Sequence, residues 1–265
     1  MRRRARQVAL GLAAAAVLAQ VLYPLLDGAA LRAATVASVV LFCAAAVTHA
    51  GATRGVRTAL VVVAVAGGTG LVAEAVGVAT GFPFGEYAYT GTLGPQVAGV
   101  PVVVPLAWTM MAWPALVAAR WLAGPGWRAV PVAAWLLASW DLFLDPQMIA
   151  EGHWAWAFPE PGLPGIDGIP LTNYAGWLLV AAVMQSLLHL AVPARQGVGV
   201  PVGEHTVPAV LLGWTWLGST LANLAFFGRP AVAVYGSVAM GLVAAPYLLS
   251  LRASHAAGDR DPALT

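Results

Sequence analysis

Asp141 and Asp145 stand four residues apart in Trp140-Asp141-Leu142-Phe143-Leu144-Asp145-Pro146, within a run apolar enough to lie in a bilayer. Four residues is about one helical turn, so the two carboxylates share a helix face, about 6 Å apart. A charged side chain at membrane depth costs about 2.5–3.5 kcal/mol on insertion scales, and such residues mark functional sites by default. The plainer alternative is a pair sitting among headgroups that only caps a helix end. Trp140, Phe143 and Leu144 surround the pair and no Arg or Lys is near it in sequence, which favours the functional reading. Two carboxylates this close in low dielectric do not both ionise cheaply. One is therefore expected to keep a proton, a stored acid in an apolar pocket. Asp145 precedes Pro146, which disfavours helical geometry at Asp145, so the helix is expected to end or kink there.

An acid in an apolar pocket can protonate an isolated alkene. That reaction needs aromatic faces to stabilise the carbocation, and Trp108, Trp140, Tyr87, Tyr89, Trp154 and Trp156 are candidates. A second carboxylate, Glu74 or the other aspartate, would steer a water onto the cation as general base. The chain has 11 Trp; Trp121, Trp127 and Trp135 are expected to be interfacial belt residues instead. Other signals are weaker. His49, His189, His205 and His255 fall at helix ends or in the tail and are read as structural. His153 lies in a loop without a second histidine at ligand spacing. The spacing of Asp141 and Asp145 is faintly similar to acidic motifs that hold magnesium–diphosphate, but the neighbouring loops offer no cation for a diphosphate. There is no phosphate-binding glycine loop and no nucleotide fingerprint. No metal and no organic cofactor are expected. Cys43, the single cysteine, is expected to be a small buried hydrophobe.

These residues must be positioned by membrane helices. Of 265 residues, 60% are hydrophobic and 9% charged, against about 25% charged in a soluble domain. That is too little polar surface for a water-soluble particle, so the chain reads as an all-α polytopic membrane protein. Nucleic acid is excluded as a partner, because the 13 basic residues, all Arg, are scattered over loops. Apolar windows of about twenty residues, the length a helix needs to span, fall at 7–26, 31–50, 58–80, 101–123, 129–150, 170–192, 206–228 and 230–251. Residues 1–252 are expected to form a single transmembrane domain of about eight helices, with 253–265 as a short polar tail. The first twenty residues resemble a signal peptide, but only further apolar segments follow, so Gln7–Leu26 is read as the first span.

With the N-terminus cytoplasmic, one side of the membrane holds Arg2, Arg3, Arg4, Arg6, Arg54, Arg57, Arg120, Arg128, Arg195, Arg252 and Arg260, and the other only Arg32 and Arg229. This asymmetry predicts that both termini are cytoplasmic. It also gathers Glu74, Asp141, Asp145, Asn173 and Asn223 in the outer half. There they lie under the two longest loops, 81–100 and 151–169, which carry Glu86, Tyr87, Tyr89, Trp154 and Trp156. The inner half reads as nearly bare of polar groups. An internal echo is visible as well. Gly99-Val100-Pro101 leads to Trp108 as Gly168-Ile169-Pro170 leads to Trp177. Each proline is expected in a first helical turn, and helices three–four and five–six read as parallel repeats about an axis along the membrane normal.

Two blocks carry a family resemblance. One is Gly81-Phe82-Pro83-Phe84-Gly85-Glu86-Tyr87-Ala88-Tyr89 with Leu93-Gly94-Pro95 and Val100-Pro101 through Trp108. The other is Trp140-Asp141 with Leu144-Asp145-Pro146, Gly152-His153-Trp154-Ala155-Trp156, Gly168-Ile169-Pro170, Asn173 and Gly176-Trp177. Together they resemble the bacterial and archaeal carotenoid biosynthesis membrane proteins, closely over residues 70–180, with Tyr174 where Phe is expected. That family includes CruF-type carotenoid hydratases. The resemblance implies hydration of the terminal C=C of an acyclic, lycopene-, gamma-carotene- or bisanhydrobacterioruberin-like end group without an organic cofactor. It implies a membrane-dissolved carotenoid as substrate and other carotenoid-pathway membrane enzymes as neighbours. On this reading Asp141 or Asp145 donates the proton, and Glu74 or the other aspartate holds the water. Asn173 and Tyr87 orient them, and Glu86, Tyr89, Trp108, Trp140, Trp154, Trp156 and Trp177 bind substrate. Two rivals stand beside it: a proton-coupled transporter, and a non-catalytic membrane subunit that holds carotenoid.

Overall fold

The computed structural model describes residues 2–194 and 202–258, which fold into an all-α bundle capped at one end by short strands. The helices are α1 Arg2–Leu22, α2 Gly28–Arg54, α3 Val56–Val62, α4 Gly68–Thr80, α5 Val103–Ala123, α6 Ala129–Ala150, α7 Leu171–Ala191, α8 Thr206–Ala225 and α9 Pro230–Gly258. A single π turn, Val63–Gly67, joins α3 to α4, so the two form one rod. Among the described residues, six rods are long and apolar enough to cross a membrane: α1, α2, α3–α4, α5, α7 and α9. The helices α6 and α8, of 22 and 20 residues, have the length but not the apolarity. For α6 the reason is visible in its packing: it lies among α5, α7 and α9, so its Asp, Ser and Gln side chains meet protein rather than lipid. The expected segments all appear, shifted by a few residues at their ends. The last helix runs to Gly258, through the first six residues of the expected tail; Arg195 and Arg260 lie outside the described residues.

The exterior is apolar where lipid would touch it: Leu60, Val72, Leu221 and Leu242 are all more than half exposed. With apolar solvent outside, helix association rests on close packing rather than on hydrophobic burial. Accordingly α1 presents Ala9, Ala13 and Ala16, one small stripe, all buried, toward α2. The central helix is α5, whose Trp108, Met111, Trp113 and Leu116 are fully buried. Pro114 interrupts its hydrogen-bond ladder, and Gln185 from α7 donates to the Ala112 carbonyl, 3.0 Å, in the same stretch.

At one end, which we call the loop end, the segments 81–102 and 151–170 cover the bundle. β1 Tyr87–Tyr89 pairs antiparallel with β4 Trp154–Trp156, in the register Tyr87↔Trp156, Ala88↔Ala155, Tyr89↔Trp154. β2 Gln96–Val97 and β3 Val100–Pro101 form a tight hairpin whose corner, Ala98 and Gly99, has φ of 52° and 80°. Two consecutive positive φ values are what a two-residue hairpin demands. Pro101 therefore sits in a strand, two residues ahead of α5, and Pro170 immediately precedes α7 in extended backbone. Neither occupies a first helical turn as expected. Each ends an extended segment, where proline's missing N–H is equally harmless.

The β1–β4 pair also extends the internal echo. Gly85-Glu86-Tyr87-Ala88-Tyr89 and Gly152-His153-Trp154-Ala155-Trp156 match in pattern at a constant offset of 67 residues, and the same offset carries Glu74 onto Asp141. The antiparallel register centres on Ala88 and Ala155, so the two segments are related by a local two-fold axis. Trp108 stacks on its own counterpart, Trp177, with ring centroids 3.9 Å apart and planes at 18°.

Candidate active site

Glu74 on α4 is buried and accepts three hydrogen bonds. Tyr87 and Tyr89 both donate their hydroxyls to Oε2, at 2.5 and 2.8 Å. Trp108 donates its indole N–H to Oε1 at 3.0 Å. The two tyrosines reach Glu74 because alternate residues of a strand face the same way. The same alternation turns Glu86 outward. Its side chain is exposed while its backbone carbonyl accepts from Ala157, so Glu86 leaves the candidate site. Glycine makes room for this cluster: a Cβ at Gly70 would stand 2.7 Å from the Trp108 ring, and one at Gly77 2.9 Å from Phe84 and Tyr87.

The aspartate pair has a matching arrangement. Asn173, near the start of α7, donates through its side-chain amide to Asp141 Oδ2 at 2.8 Å and to Asp145 Oδ2 at 2.5 Å. Trp154 on β4 donates its indole N–H to Asp145 Oδ1 at 3.2 Å. One amide thus bridges the two carboxyls. The expected end or kink at Pro146 does not terminate the helix: α6 continues through Pro146 to Ala150. The contacts from α7 and β4 hold Asp145 in helical geometry against its local preference, so Asp141 and Asp145 do share one face.

Glu74 and Asp145 line one cavity of about 50 Å³ together with Phe84, Tyr87, Tyr89, Trp108, Trp154, Trp156, Asn173 and Trp177. Its remaining walls are Thr35 and Val39 of α2, Leu93 of the first loop, Val103, Val104 and Ala107 of α5, and Leu144 and Met148 of α6. Tyr87 and Trp156 lie with centroids 5.7 Å apart, and Tyr89 meets Trp154 edge-on at 5.5 Å. Asp141 is fully buried and is not on the cavity wall; it stands behind Asp145 and Asn173. Trp140 also lies outside this cavity, edge-on to Trp177 at 5.9 Å. Sequence reasoning missed Phe84, Leu144 and Met148, and above all Thr35 and Val39 of α2, which carry no polar motif. Phe84 had a signal in the Phe-Pro-Phe-Gly turn, since the Trp156 N–H donates to its carbonyl at 2.9 Å.

The opposite end of the bundle is less bare than its sequence suggested. His49 accepts from the Trp113 N–H at Nδ1, 3.0 Å, which leaves Nε2 to donate to the Glu204 carbonyl at 2.7 Å. Arg6 pairs with the Glu204 side chain, and His205 Nδ1 lies 3.0 Å from the Tyr247 hydroxyl. All of these residues except Arg6 are buried. Glu204 escaped notice because it stands in a short 3-10 turn, Val202–Glu204, rather than in a hydrophobic run.

Fold and site thus define a class: a polytopic α-helical membrane protein with opposed carboxylates in an aromatic cavity. Residues 33–243 match the family described as Carotenoid biosynthesis protein, and the chain belongs to that family. A protein of Haloarcula japonica named bisanhydrobacterioruberin hydratase is 37% identical over 117 residues, which cover 42% of this chain. The match spans 38% of the length of that relative. No solved structure matches the chain.

Proposed function

We propose that this protein hydrates the terminal C=C of an acyclic carotenoid end group, with carboxyl groups alone as acid and base. The observation that carries this reading is the placement of Glu74 and Asp145, from different helices, on one aromatic cavity. The donors differ on the two sides. Glu74 accepts two hydroxyls and an indole N–H, the set that suits a carboxylate anion and so a base. Asp145 and Asp141 share the Asn173 amide one helical turn apart, an arrangement that suits two carboxyls holding one proton between them.

Asp145 gives its proton to the less substituted alkene carbon. A C–H bond forms from the π electrons, and a tertiary cation remains on the neighbouring carbon. The indole and phenol faces around the cavity stabilise that cation. A water held by Glu74 attacks; its oxygen forms the C–O bond and its proton passes to Glu74. Return of that proton to Asp145 closes the cycle, with one water added and no redox change. Asp141 acts behind Asp145, as the second holder of the stored proton. The 50 Å³ cavity matches a small branched terminus and not a polyene, so the rest of the chain lies outside it. The name of the Haloarcula relative supports the reaction class.

The test is pigment analysis, by chromatography and mass spectrometry, of a lycopene-making bacterial host with and without the protein. A more polar pigment heavier by one water is expected, and its fragmentation places the hydroxyl at the end group. A second reading, proton-coupled transport, draws on the buried His49–Glu204 cluster at the far end. It predicts proton flux in vesicles and no new pigment. A non-catalytic carotenoid-binding subunit would retain pigment unchanged. For the setting, we propose the cell membrane with both termini cytoplasmic, supported by the arginines gathered at the end opposite the loops.

A further inference from the structure

A second, larger cavity of about 170 Å³ adjoins the first. Thr35 and Val39 of α2 and Leu144 and Met148 of α6 line both, so side chains alone separate them. The two cavities differ in what their walls offer. In the small one the cavity-facing carboxylates and Asn173 amide already have protein partners. The larger one has mostly apolar walls, Phe42, Met110 and Phe143 among them, into which Gln20, Tyr23, Ser38, Gln147, Thr215 and Asn223 bring polar groups. Two of these groups have no hydrogen-bond partner among the described residues: Ser38 Oγ and Asn223 Oδ1. Both residues are buried, Asn223 at 3% exposure and Ser38 at 6%.

A buried acceptor without a partner costs about 1–3 kcal/mol, so these groups specify an occupant that hydrogen-bonds. A polyene cannot do so; water can, where a cavity offers it polar partners. The loop end of the cavity meets a polar string. Arg229 donates to Gln147 Oε1 at 2.8 Å, and the Gln147 amide donates to the Tyr23 hydroxyl at 3.3 Å. Tyr23 and Gln147 both donate to Glu151, which also meets His153 Nε2 at 3.3 Å. From that string the cavity reaches Thr215, Phe42 and Met110 in the middle of the bundle.

We propose that the larger cavity is the water site of the enzyme. It holds water on Ser38 and Asn223, draws it from the loop end through Tyr23 and Gln147, and passes it to Asp145 and Glu74 when Leu144 and Met148 move. The purpose assigned to this water rests on the hydration reading; its presence does not. Cysteine accessibility in membrane vesicles tests it, with Ser219→Cys, on the cavity wall, and Leu217→Cys, 56% exposed on the outer surface, both in a Cys43→Ala background. A water-filled cavity lets a small charged methanethiosulfonate modify Ser219→Cys at least tenfold faster than Leu217→Cys. If Ser219→Cys resists the charged reagent and yields only to an apolar maleimide, the cavity holds an apolar chain and the proposal is overturned. In the turnover arm, Asn223→Leu should lower hydration at least tenfold with bound carotenoid per protein unchanged. Unchanged turnover would overturn the conduit role even where labelling succeeds. Labelling without any hydration by the wild-type protein would fault the reaction instead of the water site.

Discussion

At the scale of single residues the proposed mechanism gives the three carboxylates different work. Asp145, which faces the cavity, is the donor in that proposal, so Asp145→Asn should lower hydration by about 10²–10⁴-fold, the usual contribution of a positioned general acid. Asp141 stands one step back, fully buried, and Asp141→Asn should cost less than Asp145→Asn while leaving pigment binding intact. Side-by-side pigment conversion in membranes at equal expression measures both; equal losses would contradict that ranking. Tyr89→Phe removes one of three donors to Glu74. A lost hydrogen bond to a charged group is worth about 1.5–3 kcal/mol, so turnover should fall roughly 10- to 100-fold. The carboxylates were legible in the sequence because a charge in an apolar run is conspicuous. Their division of labour was not. Which of Asp141 and Asp145 meets the cavity depends on Asn173 and Trp154, which approach from another helix and from a strand. Glu86 misled for a related reason: one residue along a strand reverses a side chain, and a loop sequence does not show which residues form the strand.

At the scale of elements the site depends on close approach between α7 and the first loop. Gly176 faces the Pro83 carbonyl, and a Cβ there would stand 2.7 Å from that oxygen and 2.9 Å from Phe84. Gly176→Ala should therefore push α7 from the loop that positions Tyr87 and Tyr89. Overpacking of this kind costs about 1–3 kcal/mol, visible as a lower unfolding temperature in detergent, together with reduced conversion. The loop end also has a pH-dependent tie. Burial alone would raise the Glu151 carboxyl, but hydrogen bonds from His153, Tyr23 and Gln147 outweigh it and hold Glu151 below the usual glutamate range. A depressed carboxylate contributes stability that is present above its unfolded pKa and is lost as pH falls through the folded one. The loop end should loosen in acid, below the ordinary range of a glutamate and not near neutrality. Glu151→Gln should abolish that dependence when unfolding temperature is followed against pH. Helix positions were readable from hydropathy to within a few residues. The strand pairing was not, because three-residue strands held between two distant loops leave no periodicity to detect. Pro146 shows the converse: local preference predicted a break, and tertiary contacts from α7 and β4 overrode it.

At the scale of the molecule, the β1–β4 pair ties the loop after α4 to the loop after α6 about a local two-fold axis. The sequence hinted at this through its Gly-Pro turns, but the alignment of the two strand segments became visible only when their antiparallel register was seen. Each segment adds an aromatic strand above an acidic helix: Tyr87 and Tyr89 donate to Glu74, and Trp154 donates to Asp145. The correspondence is not strict, because the 67-residue offset pairs Glu74 with Asp141 while Asp145 is the aspartate on the cavity. The arginine asymmetry belongs to this scale too. Reporter fusions should place the C-terminus in the cytoplasm and the 151–169 loop outside; the reverse result would invert the assigned orientation and with it the side from which water enters. The most direct test of the hydratase mechanism is isotopic. Membranes containing the protein are supplied with an acyclic carotenoid in water enriched in oxygen-18 and deuterium. Acid-catalysed hydration predicts a product carrying one oxygen-18 in its new hydroxyl and one deuterium on the adjacent carbon. A hydroxyl oxygen drawn from molecular oxygen, without deuterium on that carbon, would contradict it.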